Sequence, residues 1–352
     1  MRHVSLILAA LSLCVVLLGA AILVPVIEEV REYAEAMEAP AEELIEEPPI
    51  EVAQLFEEPP IEAGQPDTVK FDLKYDKYLV PEPYTYDADG EPRAFRFEKM
   101  VEALQKADEE FSRGRITYVD NYKNRKGDAP YYYGKNTDQA GGSRSASAPG
   151  YPDISDKKEF CYIPDGALVR VIREDEGFVK VVLVESDKIY YIPAKYVRTD
   201  DCLTALDKAI VVDRSNQNIA TFEKRDPGGW TVVSYSLATT GKVGKYYQPT
   251  PLGYFYAIEK RERFYYLFDG TDEVEGYAPY AIRFTAGAYI HGIGVAFRYS
   301  EDGSRITPGI QEFSRSIGTV PLSHKCVRNY TSHAKFIYDW YVHGETIVVV
   351  IE

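Results

Sequence analysis

Apolar and polar positions change their pattern several times along the chain. Residues 4–27 carry no charge until Glu28 and are mostly Leu, Ile, Val and Ala. About 20 such residues span a bilayer, so the pattern predicts a transmembrane signal anchor over residues 1–27. From Glu28 to Pro66 the apolar runs give way to Glu and paired prolines, Pro48-Pro49 and Pro59-Pro60, which predicts an extended stalk with little core. Phe97, Met100, Val101, Leu104 and Phe111 then recur at helical spacing, which predicts a helix over 97–111. The rest of 67–153 is mixed, with Tyr131-Tyr132-Tyr133 and Gly141 to Gly150 reading as loop.

Short β-rich runs follow. Ala167–Ile172, Phe178–Glu185 and Lys188–Ile192 are separated by polar turns and predict a small antiparallel barrel over 154–202. In the last segment, 203–352, Ala209–Asp213, Ile219–Glu223, Thr231–Ala238, Gly253–Glu259 and Thr346–Ile351 read as strands. A helix is expected from Ser332 to Val342, started by Thr331 or Ser332 and ended by Gly344. His333 and His343 then read as surface residues, and Trp230 and Trp340 as core. The fold class is mainly β, with a small barrel, a mixed β-sheet or sandwich domain holding one C-terminal-region helix, and an N-terminal transmembrane helix.

Charge sharpens this division. The net charge of the 352 residues is -15, and residues 28–66 contribute 13 Glu and one Arg, or 1 − 13 = −12. The acidity therefore describes the stalk, and the remainder is close to neutral. A nucleic-acid partner is not expected without a broad basic face. Arg2 precedes the apolar run and Glu28 and Glu29 follow it, so the positive-inside rule exports everything after residue 27. The catalytic part then lies outside the cytoplasm, in the periplasm or cell-wall space, or is secreted if the N-terminus is cleaved.

Five histidines argue against a His-rich metal site. Of the four cysteines, Cys14 belongs to the apolar run. Cys161 and Cys202 bracket the small barrel and can pair, closing a loop of about 40 residues worth ~3 to 4 kcal/mol, with two buried free thiols as the alternative. Cys326 is left over. A leftover thiol in an exported chain is a nucleophile candidate, and His291 and His324 are candidates for the imidazole that takes its proton.

The residues around these groups form a recognisable set. Ser323-His324-Lys325-Cys326-Val327-Arg328 resembles the Ser-His-Gly-Cys-(Ile/Val)-Arg motif of the L,D-transpeptidase (YkuD) family. Ala288 to Gly292 resembles its earlier histidine motif, and Thr250 to Phe255 its Thr-Pro-x-Gly-x-Phe strand. Ala238 to Gly241 and Tyr277 to Phe284 match the segments that precede these. The segments Gly177–Val181 and Tyr191–Val197 resemble bacterial SH3-like domains, which often bind cell-wall material.

The resemblance implies a cysteine acyltransferase acting on peptidoglycan stem peptides, with no metal or organic cofactor. Cys326 would be the nucleophile and His291 its base, oriented by the Gly292 carbonyl. The backbone N–H groups of His324, Lys325 and Cys326 would form the oxyanion hole, and His324 would shape the site. Ser323, Arg328, Tyr280 and Tyr289 would face the substrate. The implied reaction releases D-Ala through a thioester and closes a 3→3 cross-link. A carboxypeptidase or endopeptidase of the same fold, or a silent wall-binding scaffold, are the alternatives. Two departures stand out. Lys325 occupies the family's Gly, a strain of ~1 to 3 kcal/mol if the position needs a positive φ. The gap from His291 to Ser323 is about twice the usual one, with Arg298 to Ile317 as the apparent insertion, a loop or lid.

Overall fold

The computed structural model describes residues 69–352, apart from residues 201, 226–228, 246 and 269. The expected anchor and stalk lie outside the described residues. Among the described residues no helix is long and apolar enough to cross a membrane.

An 11-stranded mixed sheet organises the molecule. Its order is Gly253–Tyr256, Thr346–Ile351, Lys208–Asp213, Asn218–Arg225, Gly229–Thr239, Val327–Asn329, Ala288–His291, Val274–Thr285 and Glu259–Leu267, with two short strands paired off this path. The β-branched run Thr346–Ile351 lies between two strands, parallel to Lys208–Asp213, and is buried over almost its whole length. Such all-apolar runs belong inside a sheet covered on both faces. The predicted strand Gly253–Glu259 divides into two, Gly253–Tyr256 and Glu259–Leu267, which lie at opposite edges of the sheet.

Two helices cover the sheet. Helix α1, Phe97–Ser112, buries Phe97, Met100, Leu104 and Ala107 against Ala209, Val211, Phe222, Ile347 and Val349. Helix α2, Thr331–Trp340, buries His333, Ala334, Ile337 and Trp340. Its first turn is capped by neither Thr331 nor Ser332. These are already helical residues, and Glu312 of the insertion takes the role, its Oε2 accepting from the Ser332 N–H at 2.9 Å. A carboxylate at that end also faces the positive pole of the helix. Gly344 does not end the helix. Tyr341 leaves it in extended conformation, and Gly344, at φ +85°, forms the turn into the last strand.

The segment 116–197 forms a four-stranded antiparallel sheet in the order Ile116–Tyr118, Leu168–Asp175, Phe178–Leu183, Ile189–Pro193. The expected loop 141–150 ends as a strand, Ser147–Gly150, paired with Cys161–Pro164. Val169, Val181 and Ile192 share one apolar cluster with Ile210, Val233, Phe255 and Val348, so the core runs continuously across residue 202. The chain upstream also joins the main sheet. Lys70–Phe71 pairs in parallel with Thr231 and Val232, and Tyr78 stacks on Tyr330 at 4.1 Å.

Cys161 and Cys202 are free and only partly buried, so the disulfide alternative does not hold. Each thiol is turned to a local backbone carbonyl, Cys161 to Gly150 and Cys202 to Thr199. His333 is also not a surface residue. It is 0% exposed, accepts or donates a 2.9 Å bond with Ser234 Oγ, and packs on Tyr75. His333 lies on the side of α2 that also buries Ala334 and Ile337, where Ser234 and Tyr75 receive it. His343 is exposed, and Trp230 and Trp340 are buried, their indole N–H groups donating to Asp108 and Glu223.

Candidate active site

Strand pairing joins the segments that carry Cys326 and His291. The strand Ala288–His291 runs parallel to Val327–Asn329, with Ile290 opposite Val327 and His291 opposite Arg328. Side chains alternate across a strand. Ile290 and Val327 enter the main core, while Tyr289 and Cys326 share a separate small cluster. Tyr289, His291, Cys326 and Arg328 therefore occupy one face.

The imidazole is oriented by its own strand end. His291 Nδ1 lies 2.6 Å from the Gly292 carbonyl oxygen, so Nδ1 carries the proton and donates. The lone pair is then on Nε2. Burial holds the His291 pKa down at about 4, against the opposing pull of the Gly292 carbonyl and with help from the nearby Arg328 charge. The ring is 5% exposed and neutral at pH 7. Phe264 lies 6.1 Å from it and stacks on Tyr289 at 4.1 Å.

The thiol is equally enclosed, with Cys326 7% exposed. Its Sγ lies 3.7 Å from the Gly287 carbonyl oxygen. Burial pushes its pKa up, while the Tyr289 backbone N–H, Arg328 and Lys325 act the other way. At rest the thiol and the imidazole are thus both neutral, the protonation states from which general-base activation starts.

The loop that presents Cys326 rests on a backbone cradle. Thr250 Oγ1 accepts from the Gly241 N–H at 2.8 Å and donates to the Lys325 carbonyl at 2.9 Å. The Lys242 N–H donates to the Ser323 carbonyl, and the buried Ser323 hydroxyl donates to the Cys326 carbonyl. A Cβ at Gly241 would stand 2.5 Å from Gln248 O and 2.7 Å from Lys325 N, so only glycine fits there. Ser323 is therefore a loop brace, fully buried, and does not face substrate.

Other expected residues are placed differently. Lys325 does adopt φ +64°, the left-handed conformation that favours glycine. Its N–H donates to the Gln248 carbonyl at 2.8 Å and is not available as an oxyanion donor. The reason is the cradle, which needs that N–H to hold the loop. The Gly292 N–H is likewise engaged, with Pro279 O. Tyr289 is fully buried and walls the site from behind. Tyr280 turns to α2, its ring 5.8 Å from Tyr338. His324 is exposed, 6.2 Å from the Tyr247 ring. Arg328 is half-buried on the Cys326 face.

Sequence reasoning missed Phe264, Gln248 and Gly287, none of which carries a chemical signature. It also missed a contribution from outside the last segment. Asp165 is fully buried and its Oδ2 lies 2.7 Å from Arg283 Nη1. Arg283 also donates through Nε to Glu259 at 2.9 Å and stacks its guanidinium 4.2 Å over the Tyr122 ring. The insertion is fastened at its far end, where Thr331 Oγ1 donates to the Gln311 carbonyl and the Tyr277 hydroxyl donates to the Pro308 carbonyl at 2.8 Å. Among the described residues no cluster of His, Cys, Asp and Glu could hold a metal ion.

Residues 207–350 match the family model described as the L,D-transpeptidase catalytic domain, YkuD. No curated protein matches the chain. Among solved structures, an L,D-transpeptidase from Mycobacterium smegmatis is 18% identical, with 52% of this chain and 82% of that one covered and a TM-score of 0.31. An L,D-transpeptidase from Xylanimonas cellulosilytica is 20% identical over 42% and 62%, with a TM-score of 0.29. A fused Zn-dependent amidase/peptidase/peptidoglycan-binding protein from Clostridium acetobutylicum is 20% identical; this chain spans 52% of it, 41% of this chain is covered, and the TM-score is 0.28. Residues 207–350, which carry both Cys326 and His291, thus form a domain of the L,D-transpeptidase (YkuD) family.

Proposed function

We propose that the protein is a peptidoglycan L,D-transpeptidase that works through a Cys326 thioester. The observation that carries this reading is the parallel pairing of the His291 and Cys326 strands, with His291 Nδ1 held on the Gly292 carbonyl. That bond leaves Nε2 as the proton acceptor. The Cys326 thiol gives its proton to His291, and sulfur attacks the carbonyl that joins the stem's third residue to D-Ala. The C–N bond breaks, and the proton returns from His291 to the departing D-Ala amine. A side-chain amine of a second stem then attacks the thioester, forming the 3→3 amide and restoring the thiol. The N–H of Lys325 is occupied, so the oxyanion hole is formed without it, from the His324 and Cys326 backbone.

The exported location, the membrane anchor in residues 1–27 and wall binding by the SH3-like segment 154–202 belong to the same proposal. Each suits a substrate outside the membrane.

Intact-mass spectrometry with a carbapenem tests the assignment. Wild type is expected to gain one adduct, and Cys326→Ala none. An adduct that persists in Cys326→Ala would place the nucleophile elsewhere, and no adduct on wild type would remove the acyl-enzyme. Muropeptide products separate the outcomes further: dimers with released D-Ala support transfer, and tripeptides alone support hydrolysis.

A further inference from the structure

Cys326 touches a turn that its own domain does not hold by itself. The strands Val274–Thr285 and Ala288–His291 are joined by the two-residue turn Ala286-Gly287, with Thr285 paired to Ala288. The Gly287 carbonyl of this turn accepts from the Cys326 thiol at 3.7 Å. Ala286 adopts φ +40°, a region that a residue with a Cβ rarely enters. Such a conformation persists only where its surroundings over-determine it.

Asp165 supplies that constraint. It lies between the strands Cys161–Pro164 and Leu168–Asp175, outside the family-matched segment 207–350. Its Oδ2 accepts from the Ala286 N–H at 3.0 Å and from Arg283 Nη1 at 2.7 Å. Arg283 Nη1 in turn reaches the Ala286 carbonyl at 3.4 Å, so the turn is gripped at both its donor and its acceptor. The other carboxylate oxygen accepts from the Asn121 N–H at 2.8 Å, which fixes Asp165 itself. Contact between the two backbones is close here. A Cβ on Gly166 would lie 1.9 Å from the Phe284 carbonyl oxygen.

We infer that Asp165 is a positioning residue for the nucleophile: from the preceding module it clamps the Ala286-Gly287 turn, and the turn sets the ionisation of Cys326 through the Gly287 carbonyl. An acceptor bonded to the neutral thiol favours the neutral form. The groups acting against it are the Tyr289 backbone N–H from the adjacent strand and, on the cysteine's own segment, Lys325 and Arg328. His291 shares the face and is neutral at pH 7. Releasing the turn withdraws the Gly287 acceptor and leaves the donors and cations in place.

This inference rests on Cys326 being the nucleophile, but its test needs no wall substrate. The full chain is alkylated with iodoacetamide across a pH series, and modification at Cys326 is followed by peptide mapping, which separates it from Cys14, Cys161 and Cys202. In Asp165→Ala the midpoint of the rate profile is expected to fall by about half a pH unit or more, the scale of one modest hydrogen bond. Adding Ala286→Gly is expected to restore the wild-type midpoint, because glycine holds a positive φ without a clamp. A structural loss alone would not be rescued in this way. Should Asp165→Ala fail to fold, Asp165→Asn is read instead, with a smaller shift in the same direction. A folded variant with an unchanged midpoint overturns the inference, as does a shift that Ala286→Gly leaves untouched. Failure of carbapenem acylation with an intact Asp165 effect would instead count against the transpeptidase reading.

Discussion

Replacing Lys325 by glycine separates what this position costs from what it contributes. The residue sits at φ +64°, where a side chain costs about 1–2 kcal/mol. Glycine removes that strain but loses about 0.5–1 kcal/mol of backbone entropy on folding. Burial lowers the Lys325 pKa, so its ammonium also carries a desolvation penalty, which the loss of its buried stem offsets. The net expectation is a gain near 1 kcal/mol, or a rise of about 1–2 °C in Tm for a protein of this size. The same change withdraws a cation from Cys326 and raises its pKa further. Alkylation of Cys326 at pH 7 should then slow about threefold, equivalent to half a pKa unit. Lys325→Met is the control. It keeps the backbone strain and most of the stem but loses the charge, so it should slow alkylation without raising Tm. Calorimetry and timed alkylation of the three proteins give both readouts. A Tm that falls in Lys325→Gly would refute the strain argument, and unchanged alkylation in both variants would refute the electrostatic one.

The low His291 pKa predicts that kcat/KM stays high through mildly acidic pH and falls only near pH 4; an acid limb at 6.5 would mean the base is not this buried imidazole. Burial lowers the His333 pKa to about 3, so the stability it supports is complete above pH 6.5 and declines as pH falls below that value. Unfolding free energies from urea titrations should fall between pH 7 and pH 5 by about 2 kcal/mol more in wild type than in His333→Gln; equal falls would clear His333. Gly241→Ala should cost about 1–3 kcal/mol, because all three of the nearest atoms to the new Cβ are backbone, and should sharply reduce carbapenem acylation of Cys326.

Legibility in the sequence followed the range of the physics. Helix α1 was readable because Phe97, Met100 and Leu104 repeat at helical spacing, and that periodicity is local. The run Thr346–Ile351 was readable because six consecutive β-favouring residues suit a strand buried on both faces. The helix around His333 was readable, but its phase was not. Burial of His333 depends on Ser234 and Tyr75, which stand 99 and 258 residues away along the chain. The chemical groups Cys326 and His291 were recognisable from neighbouring motif residues, and so was the demand on Lys325. What supports them was not. Gln248 and Gly287 act through backbone carbonyls, which every residue has, and Asp165 acts on a turn more than 100 positions away.

The doubled gap between His291 and Ser323 looks different once the strand pairing is known. The segments that carry the thiol and the imidazole are aligned by the register of two parallel strands, not by the chain that connects them. Lengthening a closed loop costs only the logarithm of its size, about 0.6 kcal/mol for each doubling. The insertion spends part of its length on Glu312, which docks on the start of α2. Chain length between the two motifs is therefore nearly free to drift, and a search that demands a fixed spacing would pass over domains built like this one.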